Sequence, residues 1–294
     1  MTIIIDPQSS GISGNMIIGA LVDLGADKNK LKKIMEESSQ IVGEINVDFE
    51  KINKQGIDAT YCHVEMLDKN KHIHYNELID KINALDLDED VKKTSENIFK
   101  RIAIAESKVH GKKLEEIHFH EVGASDAVAD IIGSVWAYYS LNLDKENIIG
   151  LPIAVGGGQV KTSHGILPVP VPAVLEILKD LNFKGGPVLS ELATPTGCAI
   201  YAELCDEIRE FIPLIKGKKV AYGAGSKDFD HPNVLRIIQS ESMGENDKID
   251  VIETNIDHLT GEEIGYLFDV LLDSGASDVS ITPIIMKKTA MAAY

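Results

Sequence analysis

The stretch EEIHFHEVGASDAVAD brings two histidines and several acids together. His118 and His120 are two residues apart, so an extended backbone would place both rings on one face. Asp126 and Asp130 are four apart and would share one face of a helix, with Glu121 between the two sets. Mixed imidazole and carboxylate ligands suit nickel, zinc, iron or manganese. The stretch predicts a metal site, although Asp126 near a helix N-terminus would also simply favour the helix dipole.

Three further histidines are candidate metal ligands. His72 and His74 show the same two-residue spacing in KHIHYNEL, directly before a helical pattern. His110 ends a helical segment eight residues before His118. A histidine at a helix C-terminus often serves only the helix dipole, and a pair before a helix can be merely exposed. Both interpretations stay open at this point.

Glycine-rich stretches and helix starts predict a binding site for a small anion. The stretch IAVGGGQVKTSHG permits close backbone approach, but it is not a Walker loop because valine precedes the lysine. TPTG opens a helix whose unpaired amides would face an anion, and the arginine of HPNVLR could bind a carboxylate or phosphate. A glycine-rich hairpin, an ordinary helix start and an exposed arginine would explain the same patterns. The candidate phosphate ligands are Gly156, Gly157, Gly158, Thr196, Gly197 and Arg236.

The stretch ETNIDHLTGEE combines a polar strand end with a helix start. Glu253, Asn255 and Asp257 would lie on one face of the strand, where they could bind a divalent cation or a nucleotide phosphate. Thr260 and Glu263 have the spacing of a capping box. The capping box does not exclude the binding role.

Charge and cysteine content exclude several classes of protein. Lys and Arg total 29 against 46 Asp and Glu, and a net charge of −17 opposes general binding to nucleic acid. Three cysteines without a CxxC pair indicate a reducing compartment. The N-terminus lacks a signal-peptide core, and no apolar run is long enough to cross a membrane. We therefore expect a cytoplasmic protein without a membrane segment.

Hydrophobic periodicity predicts an α/β protein of mixed α+β type. Apolar and polar residues alternate in GEINVDFEKI and DATYCHVEML, which predicts two strands joined by a turn at Gly56. Helical spacing runs over 28–39 and 88–110 and again from Ser125. Pro172 and the Thr-Pro pair of TPTG are typical of helix starts.

The chain is predicted to divide into two parts. A large N-terminal α/β domain is expected over 1–243 and a polar linker over 244–248. Residues 249–294 show a strand, helix and strand pattern, which predicts a β-α-β unit. Such a unit buries too little surface to be a domain, so we expect an incomplete, ferredoxin-like C-terminal piece.

Six stretches occur here in the order found in the LarC-type nickel-insertion proteins, which the chain resembles from Ile3 to Lys288. They are DPQSSGISGNMIIGALVDLG, HFHEVGASDAVADIIG, GILPVPVPAVLEIL, TPTGCAIYAEL, YGAGSKDFDHPNVLR and ETNIDHLTGEEIGY. The resemblance implies a metal chelatase of the lyase class that makes the nickel-pincer cofactor of lactate racemase-type enzymes. Its substrate would be pyridinium-3,5-bisthiocarboxylic acid mononucleotide, and CTP would be hydrolysed with Mg²⁺ or Mn²⁺. The resemblance also implies an apo-racemase as recipient, and we expect a homo-oligomer.

Two departures from the family pattern affect what is expected. His258 stands where relatives have an acid, and relatives continue past MKK into a domain associated with CTP. Lys287 and Lys288 would then lie at the edge of the nucleotide site. The alternatives are a non-catalytic nickel-binding scaffold that needs a separate C-terminal polypeptide, and an unrelated metal-dependent hydrolase.

Overall fold

The computed structural model describes residues 1–68, 73–119, 125–162, 164–241, 251–285 and 291–293. The chain forms two compact units, Met1–Gly244 and Glu245–Tyr294. The predicted linker at 244–248 lies outside the described residues, so the domain boundary stays a prediction.

The first unit contains strands and helices in mixed order, as the periodicity predicts. Its strands are β1 (Thr2–Asp6), β2 (Ile45–Lys54), β3 (Ile57–Met66), β4 (Ile73–His74), β5 (His118–Phe119), β6 (Asn147–Gly150), β7 (Ile153–Ala154), β8 (Gln159–Thr162), β9 (Gly165–Pro168), β10 (Phe183–Lys184), β11 (Glu207–Ile208), β12 (Gly217–Ala224) and β13 (Val234–Ser240). Its α-helices are α1 (Gly14–Leu24), α2 (Lys28–Ser39), α3 (Tyr75–Asn83), α4 (Glu89–His110), α5 (Ser125–Ser140), α6 (Pro172–Ile177) and α7 (Pro195–Leu204). Short 3-10 helices cover Leu114–Glu116 and Leu143–Lys145.

A seven-stranded mixed sheet forms the centre of this unit, in the order β11-β6-β1-β13-β12-β3-β2. Strand β1 runs parallel to β6 and antiparallel to β13, while β12 runs antiparallel to β13 and parallel to β3. The predicted hairpin of β2 and β3 is confirmed, and Gln55 and Gly56 both have positive φ in its turn. The smaller pairs β4-β5, β7-β10 and β8-β9 lie outside the central sheet.

Helix α1 packs against both the central sheet and helix α5. Ile17, Ile18 and Leu21 are at most 3% exposed. Two glycines allow the helix to approach the strands. A Cβ on Gly223 of β12 would lie 2.6 Å from the Ala20 nitrogen, and a Cβ on Gly19 would collide with the Thr60 carbonyl oxygen. Backbone atoms cannot move aside as a flexible side chain can, so both positions require glycine.

Local capping explains several helix ends. The Asp27 side chain accepts hydrogen bonds from the amides of Asn29 and Lys30, which fixes the start of α2 as predicted. Gly25 provides the C-cap of α1, and Gly111 ends α4 in the left-handed region at φ 63°. Pro172 occupies the first turn of α6, as predicted.

The second unit contains α8 (Gly261–Asp273), β14 (Pro283–Ile285) and β15 (Met291–Ala293). The predicted capping box is confirmed, since Thr260 and Glu263 exchange hydrogen bonds at the start of α8. The predicted strand over 251–257 is wrong, because this segment holds only a single bridge residue, Ile256. Val251 and Ile252 are exposed rather than packed, and β14 pairs antiparallel with β15 instead. The described residues therefore do not form a β-α-β unit.

Every helix in the described residues is too short or too polar to cross a lipid bilayer.

The contact between α1 and β12 generates a stability prediction. Gly223→Ala should destabilise the first unit by about 3 kcal/mol, because the added methyl group meets backbone on α1. Gly217→Ala is the matched control in the same strand, since a Cβ there would have no neighbour within 4 Å. Urea denaturation followed by the fluorescence of Trp136, which packs against the core, measures both. Equal midpoints for the two variants would contradict the packing argument.

Candidate functional site

Two helix N-termini come together at the end of β1. Ile12 pairs in a parallel bridge with Ala193, and its amide donates to the Leu192 carbonyl at 2.9 Å. The Thr194 amide in turn donates to the Ile12 carbonyl at 3.0 Å. This short ladder holds the segment before α1 against the segment before α7. A Cβ on Gly197 would lie 2.6 Å from the Ser13 Cα, so glycine is what allows the two helix starts to touch.

The glycine-rich loop packs against the same region. Gly156 has φ 87° and pairs with Glu191 in an antiparallel bridge, and the Gly157 amide donates to the Ser190 carbonyl at 3.2 Å. A Cβ on Gly158 would lie 3.3 Å from backbone atoms of Leu189. These glycines therefore have a structural reason to be present. Their role as phosphate ligands stays a prediction.

Two of the other predicted phosphate ligands, Gly197 and Arg236, also have partners of their own. The Gly197 amide donates to Thr194 Oγ1 at 3.2 Å, while Thr196 is half-buried in the first turn of α7. Arg236 donates from Nε to Asp6 Oδ2 at 3.1 Å and forms an ion pair with that buried carboxylate. The guanidinium is therefore held beside the end of β1.

A fourth loop, 225–233, is hydrogen-bonded to two of these loops. Lys227 donates from Nζ to Ser190 Oγ at 3.0 Å and to the Glu191 carbonyl at 3.1 Å. Ser10 donates from Oγ to the Pro232 carbonyl at 2.7 Å. We call residues 7–13, 155–158, 190–197 and 225–233 the loop cluster. It gathers the Gly-rich loop, TPTG and the DHPN stretch beside the segment that follows the C-terminal end of β1.

A pocket of about 440 Å³ adjoins the loop cluster through Glu191 and Pro195. Its apolar wall includes Phe119, Leu167 and Val171. Its polar side chains come from α4, β8, the β8–β9 turn and the loop cluster, and they are Glu106, His110, Lys161, Thr162, His164 and Glu191.

Two histidine rings face each other in this pocket. The ring centroids of His110 and His164 are 4.9 Å apart, with an angle of 49° between the ring planes. His110 Nε2 lies 3.0 Å from Glu106 Oε2, one helical turn earlier on α4. His164 lies in the turn of the β8–β9 hairpin, where its amide donates to Thr162 Oγ1 at 3.1 Å. Of these three site residues, the sequence reasoning singled out His110 as a metal ligand and missed Glu106 and His164.

Long-range contacts fix the position of α4 and hence of His110. Arg101 pairs with Glu203 of α7 at 3.1 Å. Lys108 pairs with Glu176 of α6 at 3.4 Å. Both contacts join residues far apart in sequence, so no local pattern could have indicated which side of α4 faces the pocket.

The predicted histidine pairs are partly within the described residues. His74 and His118 are directly opposite each other in the antiparallel pair β4-β5, and Ile73 is opposite Phe119. One histidine of each HxH pair therefore lies in the β4-β5 ladder. His72, His120 and Glu121 lie outside the described residues.

Asp130 lies against the N-terminus of α1. A Cβ on Gly14 would lie 2.6 Å from the Asp130 Cγ, so the close approach of this carboxyl needs glycine. Burial raises the pKa of Asp130 well above its ordinary value, and the charge of Asp126 adds to this, while the Asn15 amide opposes it. Asp130 Oδ1 is shielded from solvent and has no hydrogen-bond partner among the described residues.

Asp126 precedes it by one turn of α5. Its Oδ1 accepts a hydrogen bond from the Ala127 amide at 2.8 Å, and burial raises its pKa. The two acids do share one face of α5, as their spacing predicts. Within the described ranges, no three His, Cys, Asp or Glu side chains are close enough to hold a metal ion. A role for Asp126 or Asp130 as a nickel ligand stays a prediction.

The candidate nucleotide residues of the second unit are exposed. Glu253, Asn255 and Asp257 precede α8 in a segment without regular secondary structure. His258 has its Nδ1 3.6 Å from Asp257 Oδ1. Lys287 and Lys288 lie outside the described residues.

The buried carboxyl on α5 predicts a pH-dependent stability. An Asp whose folded-state pKa is raised destabilises the fold when pH rises above its unfolded value of 3.8, and the cost is complete above the folded-state pKa. Asp130→Asn removes this cost and should raise the urea midpoint at pH 8. The gain should shrink as pH falls towards 4.

Asp86→Asn, at an exposed turn position, is the control and should show no such gain. The urea midpoints of both variants and of the unaltered protein, measured at several pH values, test this prediction. A gain for Asp130→Asn that did not grow with pH would mean that the Asp130 charge is not what destabilises this site.

Comparison with known proteins places these residues in a family. The profile described as "Nickel insertion protein" matches residues 3–293. A Methanosphaera stadtmanae protein described as a "Putative nickel insertion protein" is 50% identical over 296 residues, which cover 98% of this chain and 73% of the relative. A "Pyridinium-3,5-bisthiocarboxylic acid mononucleotide nickel insertion protein" of Staphylococcus epidermidis is 41% identical over 95% of this chain and 70% of its own length.

A protein of Desulfitobacterium hafniense with the same description as the Staphylococcus relative is 42% identical over 95% of this chain and 70% of its own length. No solved structure matches the chain. With the family profile extending over both units, the chain belongs to the nickel insertion protein family.

Proposed function

We propose that this protein inserts Ni²⁺ into pyridinium-3,5-bisthiocarboxylic acid mononucleotide. The observation that carries the proposal is the joint occurrence of the family match and a pocket with two facing imidazoles beside a loop cluster of helix N-termini. A metal inserter needs a place for the ion and a place for the organic acceptor. The pocket and the loop cluster meet at Glu191 and Pro195.

The chemistry of the ligands suits transfer of nickel rather than permanent storage. Imidazole nitrogen and carboxylate oxygen bind Ni²⁺ well, and thiocarboxylate sulfur is a softer ligand. An ion held by a few nitrogen and oxygen ligands can pass to the two sulfurs of the substrate. One Ni–C bond then forms at the pyridinium ring, and the proton of that ring carbon must leave to a base. Glu106 and Glu191 line the pocket and are the described carboxylates from which a base could come.

The mononucleotide phosphate has a candidate position in the loop cluster. The starts of α1 and α7 lie side by side, and the positive ends of their dipoles favour an anion. Arg236 and Lys227 add positive charge near the same loops. We propose Gly156, Gly157, Gly158, Thr196, Gly197 and Arg236 as the phosphate-binding set, with the structural roles of the glycines retained.

Nickel insertion is proposed to depend on CTP with Mg²⁺ or Mn²⁺, with Glu253, Asn255, Asp257, Lys287 and Lys288 at the nucleotide edge. The product would go to an apo-racemase in the cytoplasm, and the chain would act as a homo-oligomer. A scaffold role that needs a separate C-terminal polypeptide is the second candidate. It is favoured by the exposed, acidic character of the second unit.

An insertion assay with a variant of His118 and His120 tests the proposed function. Purified protein, substrate, Ni²⁺ and Mn²⁺–CTP should yield a nickel adduct of the mononucleotide by mass spectrometry. The double variant His118→Ala, His120→Ala should lower the yield and the nickel affinity by at least about ten-fold, the effect of losing metal ligands or their supports.

His63→Ala is the control for that variant, because His63 is exposed on β3 and does not line the pocket. Calorimetry with Ni²⁺ alone separates loss of binding from loss of turnover. Unchanged nickel affinity in a folded double variant would remove His118 and His120 from the site. Absence of the adduct with the unaltered protein, even with a C-terminal polypeptide from a relative supplied in trans, would reject the proposed function.

The charge of the second unit generates a prediction about CTP. Residues 251–285 contain seven acids and no lysine or arginine. A triphosphate would meet repulsion there unless divalent cations bridge it to the acids. We therefore expect this chain alone to bind CTP weakly or not at all without Mn²⁺. Added Mn²⁺ should give only modest recovery.

Titration of CTP with and without Mn²⁺ measures this affinity. Asp257→Asn, before α8, is the variant, and Asp278→Asn, after α8, is the control. Micromolar affinity without Mn²⁺ would contradict the charge argument. Micromolar affinity with Mn²⁺ that Asp257→Asn abolishes would favour the complete enzyme over the scaffold.

A further inference from the structure

The pair His110 and His164 has a geometry that one metal ion can explain. A metal–nitrogen bond of about 2.1 Å places the centre of an imidazole ring about 3.2 Å from the metal. Two rings bound to one ion at about 90–110° then have centres about 4.5–5.2 Å apart. The observed centroid separation of 4.9 Å falls within this interval. The tilt of 49° between the rings also permits both to direct a nitrogen at a shared point.

Glu106 provides the support that a metal-binding histidine usually has. Its Oε2 lies 3.0 Å from His110 Nε2, so an Nε2–H can donate to the carboxylate. That hydrogen bond leaves Nδ1 of His110 as the nitrogen with a lone pair. A carboxylate in this position fixes the tautomer and the ring orientation and raises the basicity of the ligand. Glu106 is thus placed as a positioning residue rather than a ligand.

The pocket has room for more than an ion. Six water molecules around a metal occupy about 180 Å³, at about 30 Å³ for each. The cavity measures about 440 Å³, so an aromatic ring and its substituents could enter beside the hydrated ion. The apolar wall of Phe119, Leu167 and Val171 suits the faces of such a ring. Lys161 at the rim would meet an anionic substituent.

We infer that His110 and His164 bind one Ni²⁺ ion in this pocket, with Glu106 orienting His110. The inference rests on the proposed function, because it identifies the ion as the cargo of insertion. It adds His164 to the site, a residue that neither the HFHE stretch nor its neighbours in sequence indicate.

The test uses the full chain, freed of metal by a chelator, and Ni²⁺ alone as the probe. His110→Ala and His164→Ala should each weaken nickel binding by at least about ten-fold in calorimetry. Because the two rings share one ion, each single variant should remove the same one equivalent of bound nickel, and the double variant should remove no second equivalent. Loss of one equivalent in each single variant and of two in the double variant would show two independent sites and overturn the inference.

His164→Phe is the matched variant for ring packing. It keeps an aromatic ring against His110 but cannot bind a metal, so it should lose nickel affinity as His164→Ala does. X-ray absorption at the nickel edge should show one imidazole fewer per nickel in this variant than in the unaltered protein. Retained affinity or an unchanged imidazole count would mean that the rings only pack together.

His63→Ala serves as the control histidine, and urea midpoints from Trp136 fluorescence show whether each variant is folded. Glu106→Gln should weaken nickel binding by a smaller factor than loss of either ring. The insertion assay separates this inference from the proposed function. Insertion that persists in His110→Ala, His164→Ala would reject the inference alone. Nickel binding through the pair without any insertion would reject the function alone.

Discussion

The close packing of α1 on the sheet is the constraint on which the rest of the structure depends. Gly223 and Gly19 remove the side chains that would otherwise separate the helix from β12 and β3. Gly14 and Gly197 do the same at the N-terminal end, towards Asp130 and Ser13. Because the contacts at Gly19, Gly223 and Gly197 are with backbone atoms, α1 has little freedom to slide. Close packing and backbone hydrogen bonds therefore hold the starts of α1 and α7 together.

The position of α1 also explains how the carboxyl group of Asp130 can be buried. A carboxyl at Asp130 lies beside the N-terminus of α1, where the helix dipole offsets part of the cost of burial. The compensation is incomplete, since burial and Asp126 still raise the pKa of Asp130 well above its ordinary value. Asp126 and Asp130 therefore both hold a proton to a higher pH than an exposed aspartate does. Two positively charged side chains also lie at the loop cluster. Arg236 forms an ion pair with Asp6, and Lys227 donates a hydrogen bond to Ser190.

Features with a local cause could be predicted from the sequence, and features with a long-range cause could not. The start of α2 at Lys28, the turn at Gly56 and the capping box of Thr260 follow from hydrogen bonds between near neighbours. The strand predicted over 251–257 failed because alternation alone does not supply a partner strand. His164 could not be linked to His110 from sequence. That contact depends on how α4 packs on α6 and α7, through ion pairs between distant residues.

A site for a metal that must be passed on differs from a site for a metal that stays. Structural metal sites close the coordination sphere with four protein ligands, and their affinity adds directly to the stability of the fold. An inserter with such a site would hold the ion against the substrate. The described part of this chain shows no group of three ligands, but it does show two facing imidazoles and a carboxylate that orients one of them. If these two imidazoles hold the ion, its transfer to a sulfur ligand must break both metal–nitrogen bonds, and each bond that must be broken raises the barrier to release.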